Sequence, residues 1–205
     1  MHYQVTPEET HLAKNPHHIF NINIIITHLF ISMIVLEIGT TMMLLAVPVV
    51  SSLVIAYIYQ NGRAIRKRGS WFVSAHWELA WRRCRILLYS YAIAVLMVAI
   101  YVIINQIFPG GLKMVDFSEG GEINIGEIIT IRFAAVVIFI AVLITFMQTG
   151  ISVYDAGKGI IDPKIAKYLP RDDNANAELG EGDDEVRHDG QKQMGSSQTT
   201  DKDPS

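Results

Sequence analysis

Three long apolar stretches, at residues 19–60, 86–108 and 125–153, constrain this chain more than any other feature. A helix needs roughly 20 residues, at 1.5 Å of rise each, to cross ~30 Å of hydrocarbon. The 23-residue stretch therefore supplies one span and the 42-residue stretch supplies two. Glu37, Gly39, Thr40 and Thr41 interrupt the longest stretch near its midpoint, where a charge and a glycine suit an interfacial hairpin better than a bilayer centre. The expectation is an all-α, polytopic membrane protein with a four-transmembrane-helix bundle. Its spans fall at about residues 17–37, 41–60, 86–108 and 129–153, with a loop at 61–85.

The ends of these segments carry their own signals. Thr6-Pro7-Glu8-Glu9 has the form of a capping box with proline at the first helical position. A surface helix over residues 1–15 is expected from it, ended by Asn15-Pro16, which also starts the membrane domain of residues 16–154. Residues 1–18 are polar and lack the basic leader and apolar run of a secretory signal, so the first apolar segment reads as a retained anchor. No glycine or proline occurs between Ser70 and Phe108. One long third helix is predicted there, up to about 58 Å in length, beginning in an amphipathic cytoplasmic segment. Gly157-Lys158-Gly159 reads as a short loop within a juxtamembrane segment, residues 155–171.

Orientation follows from basic residues, which are in excess on the cytoplasmic side. Arg63, Arg66, Lys67, Arg68, Arg82, Arg83 and Arg85 follow the second span, and Lys14, Lys158, Lys164, Lys167 and Arg171 join them on that side. The other side holds Lys113 and Arg132 beside Asp116, Glu119, Glu122 and Glu127. Both termini are expected in the cytoplasm of a cell with a bacterial-type inner membrane. Composition agrees: half the residues are hydrophobic and the mean hydropathy is +0.28, above that of an average soluble domain. The formal charge of −3 hides an asymmetry, because residues 171–205 hold ten Asp or Glu against four Lys or Arg. Residues 172–205, poor in large apolar groups, read as a disordered acidic tail.

Chemistry-bearing residues are few. Cys84 is the single cysteine, which rules out an intrachain disulfide and leaves Cys-based zinc or iron–sulfur sites without ligands. Asn21, His28 and Ser32 share a helical face on the first span; Ser90, Ala94, Tyr101 and Asn105 share one on the third. Ala134, Ala141, Thr145, Gln148 and Ser152 form a comparable row on the fourth. Small and hydroxyl-bearing residues bring membrane helices together, so the rows are read as facing one another in the bundle interior. His28 could also relay protons or ligate haem, but no other span holds a histidine for a second axial position. His11, His17, His18 and His76 gather at the cytoplasmic face without metal-ligand spacing, and no metal site is expected. Along residues 70–85, Ser74, Glu78, Arg82 and Arg85 fall on one face, while Trp71, Trp77 and Trp81 suit the headgroup region. This segment is read as a surface for the anionic inner leaflet or for another subunit, each basic group adding on the order of 1 kcal/mol near the lipid.

No phosphate loop, His-Glu-x-x-His, intramembrane carboxylate pair or nucleophile elbow occurs. The basic cluster is better explained by the bilayer than by nucleic acid. The functional expectation is a non-enzymatic accessory or assembly subunit of a larger inner-membrane complex, with membrane lipids and other membrane subunits, or a second copy, as partners and no cofactor. Two alternatives stand beside it: a small oligomeric transporter or channel, and a haem- or quinone-linked redox subunit built on His28.

Overall fold

The computed structural model describes residues 1–38, 45–108, 113–115, 122–171 and 178–179. Element order is β1 (His2–Tyr3), α1 (Pro7–Asn23), a π-helical stretch (Ile24–Ile31), α2 (Ser32–Ile38), α3 (Ala46–Ile65) and α4 (Trp71–Ile107). There follow β2 (Lys113–Val115), β3 (Glu122–Asn124), α5 (Ile125–Lys158), a 3-10 turn (Pro163–Lys167) and β4 (Glu178–Leu179). Among the described residues, three helices are long and apolar enough to cross a membrane: Pro7–Ile34, Trp71–Ile107 and Ile125–Lys158. The protein is membrane-embedded and built of helices.

The first helix starts as its capping box dictates. Thr6 Oγ1 accepts from the Glu9 backbone N–H at 3.2 Å, and Glu9 Oε2 accepts from the Thr6 N–H at 2.9 Å. It does not stop at Asn15-Pro16, contrary to the expectation of a separate surface helix over residues 1–15. Pro16 lies inside α1 and is buried, with Ala13, His17 and Phe20, on the face packed against α4 and α5. A proline forfeits one hydrogen bond of the helix ladder. Burial of the flanking apolar face on two neighbouring helices outweighs that loss, as tertiary packing commonly outweighs propensity. The helix then widens into the eight-residue π-helical stretch before resuming as α2, where Glu37 is still helical. Gly39, Thr40 and Thr41, the expected hairpin, lie outside the described residues.

Helix α3 carries Pro48 in its first turn, where the missing N–H has no helical partner to lose. It runs through Gln60, Asn61, Gly62 and Arg63 to Ile65 and is not, over its described residues, among the membrane-length helices. The glycine- and proline-free segment forms α4 as one unbroken helix of 37 residues, about 55 Å long at 1.5 Å per residue. It is the central element, packing against α1, α3 and α5. A short antiparallel hairpin, with Met114 opposite Ile123, joins α4 to α5, and no strand is expected there from the sequence. Asn124 Oδ1 caps α5 by accepting from the Glu127 N–H at 3.2 Å. At the other end α5 continues through Gly157 and Lys158 and stops at Gly159, whose φ of 71° is the left-handed cap that glycine adopts freely. The expected loop is therefore the last turn of a helix.

Two apolar clusters hold the bundle. One lies between α1, α3, α4 and α5, around Phe20, Ile55, Ile58, Trp77, Leu87 and Tyr91. The other is an end cap in which Tyr3, Ile161, Ile165 and Leu169 close over Trp71, Phe72 and Ala75 at the start of α4. The segment after α5 thus folds back onto the bundle. Its backbone is tied by Tyr3 N–H to Gly159 O at 2.8 Å and Ile161 N–H to Met1 O at 3.0 Å. Within the segment 172–205 read as a tail, residues 178–179 pair antiparallel with β1, and the other residues lie outside those described.

Candidate functional site

The polar groups that meet inside the bundle are only partly those the sequence periodicity selects. His28 Nε2 and Tyr91 Oη lie 2.6 Å apart, with the rings nearly parallel at 17° and centroids 5.9 Å apart. The Tyr91 hydroxyl also reaches Ser51 on α3. Asn23 Nδ2 donates to Ser51 Oγ at 2.9 Å, and Thr27 Oγ1 donates to Asn23 Oδ1 at 3.0 Å. Five side chains from α1, the π-helical stretch, α3 and α4 thus gather in one polar cluster, with Asn23, Thr27 and Ser51 at 4% exposure or less. Such a cluster ties helices together and satisfies polar groups that would otherwise be stranded in an apolar interior. The ring nitrogen of His28 that faces inward is the one already bonded to Tyr91.

The other members of the expected stripes are dispersed. Ser32 Oγ donates to the Thr27 carbonyl of its own helix at 3.4 Å. Thr145 Oγ1 donates to the Ala141 carbonyl at 2.7 Å, and Thr149 does the same one turn later to Thr145. These hydroxyls serve their own helix, not a facing one. Gln148 takes part through its backbone carbonyl, which accepts from Arg83. Asn21 Oδ1 and Tyr101 Oη are buried without a partner among the described residues. Asn105 is exposed, and with Tyr101 and Thr130 it lines a mostly apolar groove of about 410 Å³ between α4 and α5.

Of the four histidines expected to gather at one face, His17 and His76 come together and His11 and His18 stay exposed. His17 Nε2 lies 3.2 Å from His76 Nδ1, both residues fully buried. Two turns further along α4, Arg83 donates to Gln148 O and Ser152 Oγ, with Asp155 and Asp162 in electrostatic reach. Arg83 is therefore a clamp between α4 and α5 and not a lipid-facing charge. Among the described residues, no three His, Cys, Asp or Glu side chains converge as metal ligands.

The aromatic-basic segment divides likewise. Trp71 is 4% exposed and its indole N–H donates to Leu169 O at 3.2 Å, so it belongs to the end cap and not to a headgroup layer. Trp77 is equally buried, against α3. Trp81 is half-buried and packs against Tyr59, with ring centroids 4.6 Å apart and the planes tilted by 43°. Arg63, Arg66, Lys67 and Arg68 are exposed. Arg82 pairs with Glu78 at 3.1 Å, the i, i+4 order of the sequence, and Arg85 Nη2 donates to Tyr89 Oη at 2.6 Å. Comparison with family models, curated proteins and solved structures returns no match.

Proposed function

We propose that this chain is a non-enzymatic accessory or assembly subunit of a larger inner-membrane complex, crossing the bilayer four times with both termini in the cytoplasm. The observation that carries the reading is a contrast between two sets of polar groups. Those between α1, α3 and α4 are hydrogen-bonded to one another, His28 with Tyr91, and Asn23 with Ser51 and Thr27. On the outer groove of α4 and α5, by contrast, Asn105 is exposed amid Met97, Ile100 and Ile104, and beside it Tyr101 Oη is buried without a partner among the described residues. Polar side chains on an outward membrane face find their partners across a helix–helix interface. The fourth span would be α3 together with the residues preceding it, whose sequence, Thr41-Met42-Met43-Leu44-Leu45, is apolar.

The test is purification in mild detergent from cells making the protein at its native level. The expected particle is far larger than the 22.9 kDa chain. Asn105→Trp, which blocks the groove, should release the chain from it without loss of helicity. A monodisperse single chain at native expression would sink the proposal.

A further inference from the structure

Where the end of α3 meets the start of α4, a groove of about 280 Å³ is lined by Ile58, Tyr59, Gly62, Arg63, Arg66, Ser74, Trp77, Glu78 and Trp81. From these residues we infer that the groove is a binding site for the phosphate-bearing headgroup of an anionic phospholipid. The charge arrangement comes first. Arg63 and Arg66, one turn apart on α3, are exposed at the groove. Arg63 Nη1 donates to Tyr59 Oη at 3.4 Å and Arg66 Nη2 to the Tyr168 carbonyl at 3.3 Å, so among the described residues neither is neutralised by a carboxylate. The one carboxylate lining the groove, Glu78, is already held by Arg82 at 3.1 Å. The groove therefore presents net positive charge with guanidinium donors, the pattern that binds phosphate oxygens best.

The walls supply the second argument. Tyr59 and Trp81 lie in tilted ring contact, and Trp77 closes the groove behind Gly62, where an added Cβ would lie 3.5 Å from Trp77 Cβ. Indole and phenol rings beside cations are the side chains of the membrane–water boundary. Trp77 is 4% exposed, and its Nε1 is buried without a hydrogen-bond partner among the described residues. At about 30 Å³ per water, the volume equals roughly nine waters, more than a bare phosphate fills and enough for phosphate with its glycerol. The inference holds whichever side of the membrane the groove faces, and it does not depend on the subunit role.

The test uses the full chain in a neutral detergent, reading tryptophan emission, since two of the three tryptophans line the groove. Short-chain phosphatidylglycerol should give a saturable change, and phosphatidylcholine of the same chain length should not. Arg63→Gln with Arg66→Gln should weaken that binding roughly tenfold or more, because each arginine at a lipid surface contributes on the order of a fivefold factor. Both arginines are exposed, so the double variant should keep its helicity, with only a small fall in unfolding temperature from the lost bond between Arg66 and the Tyr168 carbonyl. Gly62→Leu, which fills the groove, should abolish the change. Inorganic phosphate should compete only weakly; saturation by phosphate alone at the lipid's concentration would assign the site to the free ion and overturn the headgroup. Equal responses to the two lipids, or unchanged binding in the double arginine variant, would overturn the site itself.

Discussion

Replacing Tyr91 with Phe removes one hydroxyl and leaves two neighbours, His28 Nε2 and Ser51, without it. Interhelical hydrogen bonds in lipid average near 0.6 kcal/mol, and a stranded buried group adds to the loss, so Tyr91→Phe should cost about 1 kcal/mol. His28→Gln should cost less, because an amide can still meet the tyrosine. Thermal unfolding in detergent measures both, and a larger loss for His28→Gln than for Tyr91→Phe would show that the imidazole does more than tie helices. Gly159 makes a sharper case. Its φ is 71° and an added Cβ would sit 2.7 Å from the Tyr3 carbonyl oxygen. Gly159→Ala therefore combines a left-handed backbone penalty with a collision against backbone, about 2 kcal/mol or more. Its effect should be local, and hydrogen exchange at the Tyr3 and Ile161 amides should report faster opening while the spans stay protected.

Among the elements, β1 is short and yet holds a place in the end cap. Tyr3 is 1% exposed, and the first residues hydrogen-bond Gly159 and Ile161. Deleting residues 1–5 should leave α1 capped by Thr6 and the bundle inserted, but it uncovers Ile161, Trp71 and Phe72. The segment after α5 carries Lys164, Lys167 and Arg171, so trypsin should cleave there in the shortened protein and spare the intact one. Equal resistance would mean that α4 alone holds this segment. The π-helical stretch acts on the opposite end of the same argument. Wider turns rotate the face of the helix, and His28 and Asn23 both reach inward, to α4 and to α3.

For the whole molecule, the charge distribution makes the orientation testable. A reporter active only outside the cytoplasm should work when fused after Asp116 and be silent after Lys67 or Lys158. The inverse pattern would overturn the proposed topology, and activity after Lys67 alone would remove α3 from the spans. The structure adds a reason why the basic side is more than a charge bias. Arg83 ties α4 to α5, while Arg66 donates to the Tyr168 carbonyl and Arg82 lies over the Tyr168 ring, so these cations also hold the helices and the segment after α5 together.

Membrane embedding, the unbroken α4 and the capping box at Thr6 were legible in the sequence, because each depends on local composition or on spacing within one helix. Hydrophobic length fixes what must sit in lipid, and an absence of glycine and proline lets a helix run on. The polar meeting points were not legible in the same way. Asn21, His28 and Ser32 share a face only while the helix keeps 3.6 residues per turn, and the π-helical stretch breaks that phase. Asn23 and Thr27, four apart in an apolar run, carried a signal that the chosen stripe passed over. Continuation through Pro16, the His17–His76 pair, and the burial of Trp71 and Trp77 were decided by tertiary structure alone. Each depends on which segments of distant sequence, β1, α4 and the fold-back after α5, come to lie against one another, and packing against those segments outweighs what the local residues prefer.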